Sequence, residues 1–269
     1  MNATIFTHEL RTRLRSVLIW SLGVAALMLL YFSFFPAFAD QAALMKEMMA
    51  RFPPQMSAAF GLDKLDLSTV LGFFSFVFLF AQLCLAIQAA NYGFGLVSVE
   101  ESELTADFLL SKPVSRGQIL TSKLLAALGS LALTDLLVWA ACLAAVSLFN
   151  AGRSYDAATL RLLLLSLIPF QLFFLAVGLI ISLLVKRVRS VTPYALGLAF
   201  GAYVLSAFSG IFGDVKLELI TPFKHFDAAA IVSSGALNTP LALASMAVVL
   251  LALAASYWLY IRRDIHAVS

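Results

Sequence analysis

Long uncharged apolar runs alternate with short polar stretches along the chain. Six runs stand out, at about 17–38, 70–97, 124–149, 160–185, 193–212 and 241–261. At about 1.5 Å per residue, each is long enough to cross a hydrocarbon core of roughly 30 Å. None shows the period-two alternation of a membrane β-strand, and helices satisfy their own backbone hydrogen bonds in lipid. The pattern predicts an all-α integral membrane protein in which residues 1–269 form one domain of six spanning helices.

Charge adds orientation. With the N-terminus inside, eleven of the 18 basic residues fall in inside segments, most of them beside span ends, and seven fall outside, mostly in longer loops. The positive-inside bias then places both termini in the cytoplasm and the protein in the cell membrane as a multi-pass chain. The excess of 18 basic over 15 acidic residues is too small to point to nucleic acid, so the bilayer is the surrounding partner. "AFAD" at 37–40 has the look of a cleavage site, but the apolar run before it is longer than the 7–15 residues of a signal segment, which favours an uncleaved span. Ahead of it Phe6, Leu10 and Leu14 recur at helical spacing among arginines. That suits either a short interfacial helix or a simple basic flank.

The largest inside loop follows the second span and reads "ESELTADFLLSKPVSR" from Glu101 to Arg116. Ser115 and Gln118 have the spacing of a capping box, and Val114 with Ile119 that of a hydrophobic staple, so a helix is expected to start near Arg116 and run into span three. Pro113 discourages an upstream helix from continuing through it. Residues 103–111 then form a separate short helix with Leu104, Phe108 and Leu109 on one edge. Glu100, Glu101, Glu103 and Asp107 group toward its start, where the helix dipole favours acids. The segment reads either as a solvated loop whose apolar edge rests on the membrane surface or as a docking element for a soluble partner, and four acids, which fit poorly against an anionic inner leaflet, favour docking.

This stretch resembles the cytoplasmic loop of type-two ABC exporter permeases, which carries an acidic lead-in, then Leu-Leu-Ser-x-Pro-Val-Ser-Arg and a downstream lysine. Thr105, Leu109, Leu110, Ser111, Pro113, Val114, Ser115, Arg116 and Lys123 match, while Leu104 stands where the family often has glycine. The external segments at 51–76 and 220–237 are similar to the family's as well, so the resemblance covers nearly the whole chain. It implies a coupling helix between spans two and three, seated in a groove of a separate ATP-binding subunit. It also implies two such subunits holding ATP and Mg, and a second permease, identical or related. Glu100, Glu101, Glu103, Thr105, Asp107, Phe108, Leu109, Leu110, Pro113 and Arg116 are the expected docking residues.

Other chemistry is weak in this sequence. No G-x-x-x-x-G-K-[ST] occurs, so ATP hydrolysis is expected in a partner and no cofactor in this chain. His8, His225 and His266 are far apart, no H-E-x-x-H is present, and Cys84 and Cys142 lie in apolar runs as small hydrophobes, so no metal site is expected. Aspartyl catalysis needs two carboxylates, and only Asp135 lies deep in a span. That acid reads either as a cargo-pathway group or as a buried partner of Thr134, Gln82, Gln88, Asn91 or Gln171. Gly197 and Gly201 form a G-x-x-x-G in span five, which either permits close helix approach or arises by chance, and the family resemblance implies a permease–permease interface there. Pro169 is expected to kink span four, with Gln171 positioned to satisfy the freed backbone. The stretch 213–240 suits short re-entrant or surface helices, with His225 at the interface. The resulting expectation is an exporter permease subunit. The alternatives are a non-transporting scaffold or assembly factor and, behind that, an integral-membrane enzyme.

Overall fold

The computed structural model describes residues 2–41, 43–44, 47, 51, 65–102, 114–185, 188, 190–209 and 217–262, with side chains described at all of these except 99–102 and 217. The secondary structure assigned to them is helical throughout, and six helical segments are long and apolar enough to span a membrane. The expected spans are thereby found: α1 (Ala3–Phe32) with the short α2 (Phe35–Asp40) after it, α3 (Val70–Ser102), α4 (Arg116–Phe149), α5 (Ala157–Leu184), α6 (Val191–Ser209) and α9 (Thr239–Arg262). A turn of 3-10 helix (Leu217–Leu219), α7 (Pro222–His225) and α8 (Ala228–Ser234) lie between α6 and α9.

Boundaries move where polar residues continue a helix that hydropathy cannot follow. α4 starts at Arg116, where the Ser115 cap forms: Gln118 N–H donates to Ser115 Oγ at 3.3 Å, and Ser115 N–H donates to Gln118 Oε1 at 3.2 Å. The N-terminal stretch is neither an interfacial helix nor a loose flank. It is the first part of α1, opened by the Asn2 side chain, which accepts from the Thr4 and Ile5 amides. Its packed stripe runs through Glu9, Arg13, Val17, Ser21, Val24, Met28 and Phe32, while Leu14 from the expected apolar edge is 42% exposed.

α3 and α5 form the centre of the bundle, with α1 and α4 paired alongside, α6 against α3 and α9 against α5. Their close approach depends on two glycines. A Cβ on Gly93 would stand 2.3 Å from the Leu175 carbonyl oxygen, and one on Gly178 would stand 3.0 Å from that of Ala90. Two apolar clusters stack along the bundle. One gathers phenylalanines 32, 35, 73, 74 and 78, and the other gathers Phe94, Phe170, Phe174, Phe223 and Phe226. Buried Gln82, Gln88, Thr134, Asp135 and Gln171 lie where the two clusters meet.

Of the short re-entrant or surface helices expected before α9, the structure has α7 and α8, packed against the long helices. Phe223 packs on Phe170, Phe174 and Tyr203, Gln82 Nε2 donates to the Phe226 carbonyl at 3.0 Å, and Thr221 Oγ1 donates to the Ala202 carbonyl at 2.7 Å. His225 is therefore not interfacial. It is 2% exposed, with Nδ1 2.5 Å from Ser245 Oγ.

Candidate functional site

The docking segment is carried by two helices longer than a membrane needs. α3 has 33 residues and α4 has 34. At about 1.5 Å per residue each runs to about 50 Å, roughly 20 Å more than the hydrocarbon core. Residues 98–102 of α3 and 116–123 of α4 lie beyond the apolar runs, at the ends that hold 103–113 between them. Expected docking residues Glu103, Thr105, Asp107, Phe108, Leu109, Leu110 and Pro113 lie outside the described residues. Glu100 and Glu101 fall in the final turn of α3, not at the start of a separate helix. The dipole argument offered for those two acids does not hold there, since a helix C-terminus disfavours negative charge. Arg116 is the first residue of α4.

Just inside these ends a buried polar cluster joins three helices. Lys123 on α4 is 2% exposed, and its Nζ donates to the Leu96 carbonyl of α3 at 2.5 Å. The same Nζ is 3.8 Å from Glu9 Oε1 on α1, and Glu9 Oε2 accepts from Arg13 Nη2 at 3.1 Å. The Arg13 guanidinium carbon sits 5.1 Å from the centre of the Tyr92 ring on α3. Tyr92 O–H in turn donates to Ser16 Oγ at 3.1 Å, and Gln88 Nε2 donates to Tyr92 Oη at 3.2 Å and to Thr134 Oγ1 at 2.8 Å. Asn2 N–H reaches Ser122 Oγ at 2.7 Å. Charges this deep persist only when paired and hydrogen-bonded. The cluster makes the loop-side ends of α1, α3 and α4 one mechanical unit. Lys123 entered the sequence reading as a loop cation, and nothing in its spacing signalled burial.

Deeper in the bundle, Gln171 Nε2 donates to Asp135 Oδ1 at 2.9 Å. Of the five partners considered for Asp135 this is the one found among the described residues. Thr134 is taken by Gln88. Gly197 and Gly201 have no atom within 4 Å of a built Cβ and make no close helix contact inside the described chain. Among the described residues no group of three or more His, Cys, Asp or Glu side chains could hold a metal ion.

A family model described as ABC-2 family transporter protein matches residues 3–265. The chain belongs to the ABC-2 transporter family. It is a type-two ABC permease, a multi-pass transport component and not the catalytic ATPase, and the family generally works with an ATP-binding subunit. No individual curated protein matches it. In a permease of this family the Lys123 cluster acquires a specific context: it fastens together the helices that lead into and out of the segment 103–113.

Proposed function

We propose that this permease is an exporter subunit of the cell membrane, with both termini cytoplasmic. Two copies of a separate ATP-binding subunit, holding ATP and Mg, drive it by docking on 100–116. A second permease, identical or related, completes the pathway, with Gly197 and Gly201 on the outward face of α6 as the contact. Closure of the ATPases on ATP pushes the docking segment, and the push reaches the spans through the extended ends of α3 and α4.

The observation that carries this reading is the Lys123 junction. A displaced loop on two independent helices would bend each separately. Here the ammonium group ties α4 to the Leu96 carbonyl of α3, and Glu9 and Arg13 extend the tie to α1. The three helices therefore move together, which is what a lever between an ATPase and a membrane pathway requires.

Lys123→Met tests this. The methionine keeps the apolar stem and removes the donor. In proteoliposomes the variant should still retain its cognate ATP-binding subunit, while permease-dependent ATP turnover falls about fivefold or more, the scale of a lost coupling interaction. Wild-type turnover by Lys123→Met would remove the junction from the coupling path.

A further inference from the structure

Between α4 and α5 a cavity of about 280 Å³ opens on the outer surface of the bundle. Its walls are leucines 128, 131, 136 and 172 with Ile168, and Leu136 and Ile168 on its rim are 59% and 43% exposed. Asp135, Gln171 and Trp139 also line it. Asp135 is 5% exposed, and its hydrogen bond to the neutral Gln171 amide is its one polar contact among the described residues. Among the described residues no lysine or arginine pairs with it, Gln171, 1% exposed, has no partner for its Oε1, and the indole N–H of Trp139, one turn beyond Asp135 on α4, has none either. The site thus holds a carboxylate without a counter-ion, an unsatisfied acceptor and an aromatic ring, inside an apolar wall.

We infer that this groove binds a small lipophilic ammonium ion, an amine with an apolar body. A carboxylate buried without a cation costs several kcal/mol, and a bound ammonium would offset that cost. An ammonium N–H can also donate to Gln171 Oε1, and the indole offers a cation a favourable ring. The leucine and isoleucine walls take the hydrocarbon part. An anion is repelled, and a zwitterion would leave its second charge against apolar walls. Calcium and magnesium need several oxygen ligands, which the lining does not provide. The volume lies just under the roughly 300 Å³ where drug-sized pockets begin, which limits the body to a short chain or a single ring. Binding here involves neither nucleotide nor partner subunit, so it stands apart from the coupling scheme above.

The test uses the full-length permease alone in nanodiscs of phosphatidylcholine, whose neutral surface does not concentrate cations. The chain has three tryptophans, so Trp20→Phe and Trp258→Phe leave Trp139 as the reporter. The probe is benzyltrimethylammonium, whose single ring suits the cavity's size, compared with its uncharged carbon isostere; a permanent cation isolates the charge requirement. The expected result is a saturable change in Trp139 fluorescence with the cation, at an apparent affinity about tenfold or more above that of the isostere. Asp135→Asn should abolish the difference. Equal response to cation and isostere in the protein with Asp135 intact overturns the inference without relying on the variant's folding. An unchanged cation preference in Asp135→Asn overturns it as well. ATP-dependent coupling would be untouched by either failure.

Discussion

Single residues set the tightest constraints in this bundle, and glycine 93 is the clearest. The central α3–α5 crossing leaves no room for a side chain there: the obstructing atom is the Leu175 carbonyl oxygen, part of a helix backbone that cannot swing aside. Gly93→Ala should therefore spread the helices and lower stability by about 1–3 kcal/mol, the usual cost of overpacking. Unfolding of the purified chain in mixed micelles measures this, with Gly23→Ala in α1 as a control expected not to destabilise, since a Cβ on Gly23 meets open space. A neutral Gly93→Ala would mean the crossing is looser than its geometry. Sequence alone does not single out Gly93, one of 14 glycines in the chain. What makes it indispensable is residue 175, far along the chain, and no local pattern shows that. Asp135 is the contrasting case. A lone acid in an apolar run is legible at once, and Gln171 was among its named partners, yet the cavity beside the pair required the packing of α4 against α5 to be seen.

At the scale of elements, the spans were legible and their ends were not. Apolar length marks a helix only while it crosses lipid. α1, α3 and α4 continue past that zone on polar residues, and only the capping box at Ser115 announced one of these extensions. In α1 the charged Glu9 and Arg13 continue the packed stripe, so a reading that assigns charge to solvent places the wrong face inward. α7 shows the same effect in reverse, where a polar segment is buried. His225 in α7 is held by Ser245 from α9, and burial pushes its imidazole below the ordinary histidine range, with the backbone of Glu218 and Leu219 and then the Glu218 carboxylate acting in the opposite sense. Below about pH 6.5, the unperturbed value, the unfolded chain takes up a proton that the folded site resists. Stability should therefore be full above that pH and decline as pH falls through the lower folded value. Thermal unfolding across pH 5 to 8 checks this: His225→Gln should flatten the acid-side decline, and an identical decline in the variant would assign it to other groups.

For the whole molecule, membership in the ABC-2 family fits a bundle whose two central helices are buried and whose outer ones leave broad apolar faces. Along α3, Leu96 of the loop-side cluster, Gln88 and Gln82, which holds the Phe226 carbonyl beyond α7, follow one another. The proposed coupling has the ATPase's push enter at 100–116. Phe108 and Leu109 are the proposed apolar anchors there, and removing anchors of this kind costs a few kcal/mol, on the order of a hundredfold in affinity. The most direct measurement is co-purification of the cognate ATP-binding subunit with the Phe108→Ala, Leu109→Ala permease, beside wild type at equal membrane insertion. The variant should insert normally and lose the ATPase from the complex. Wild-type recovery of the ATPase with the doubly substituted permease would rule out docking through Phe108 and Leu109.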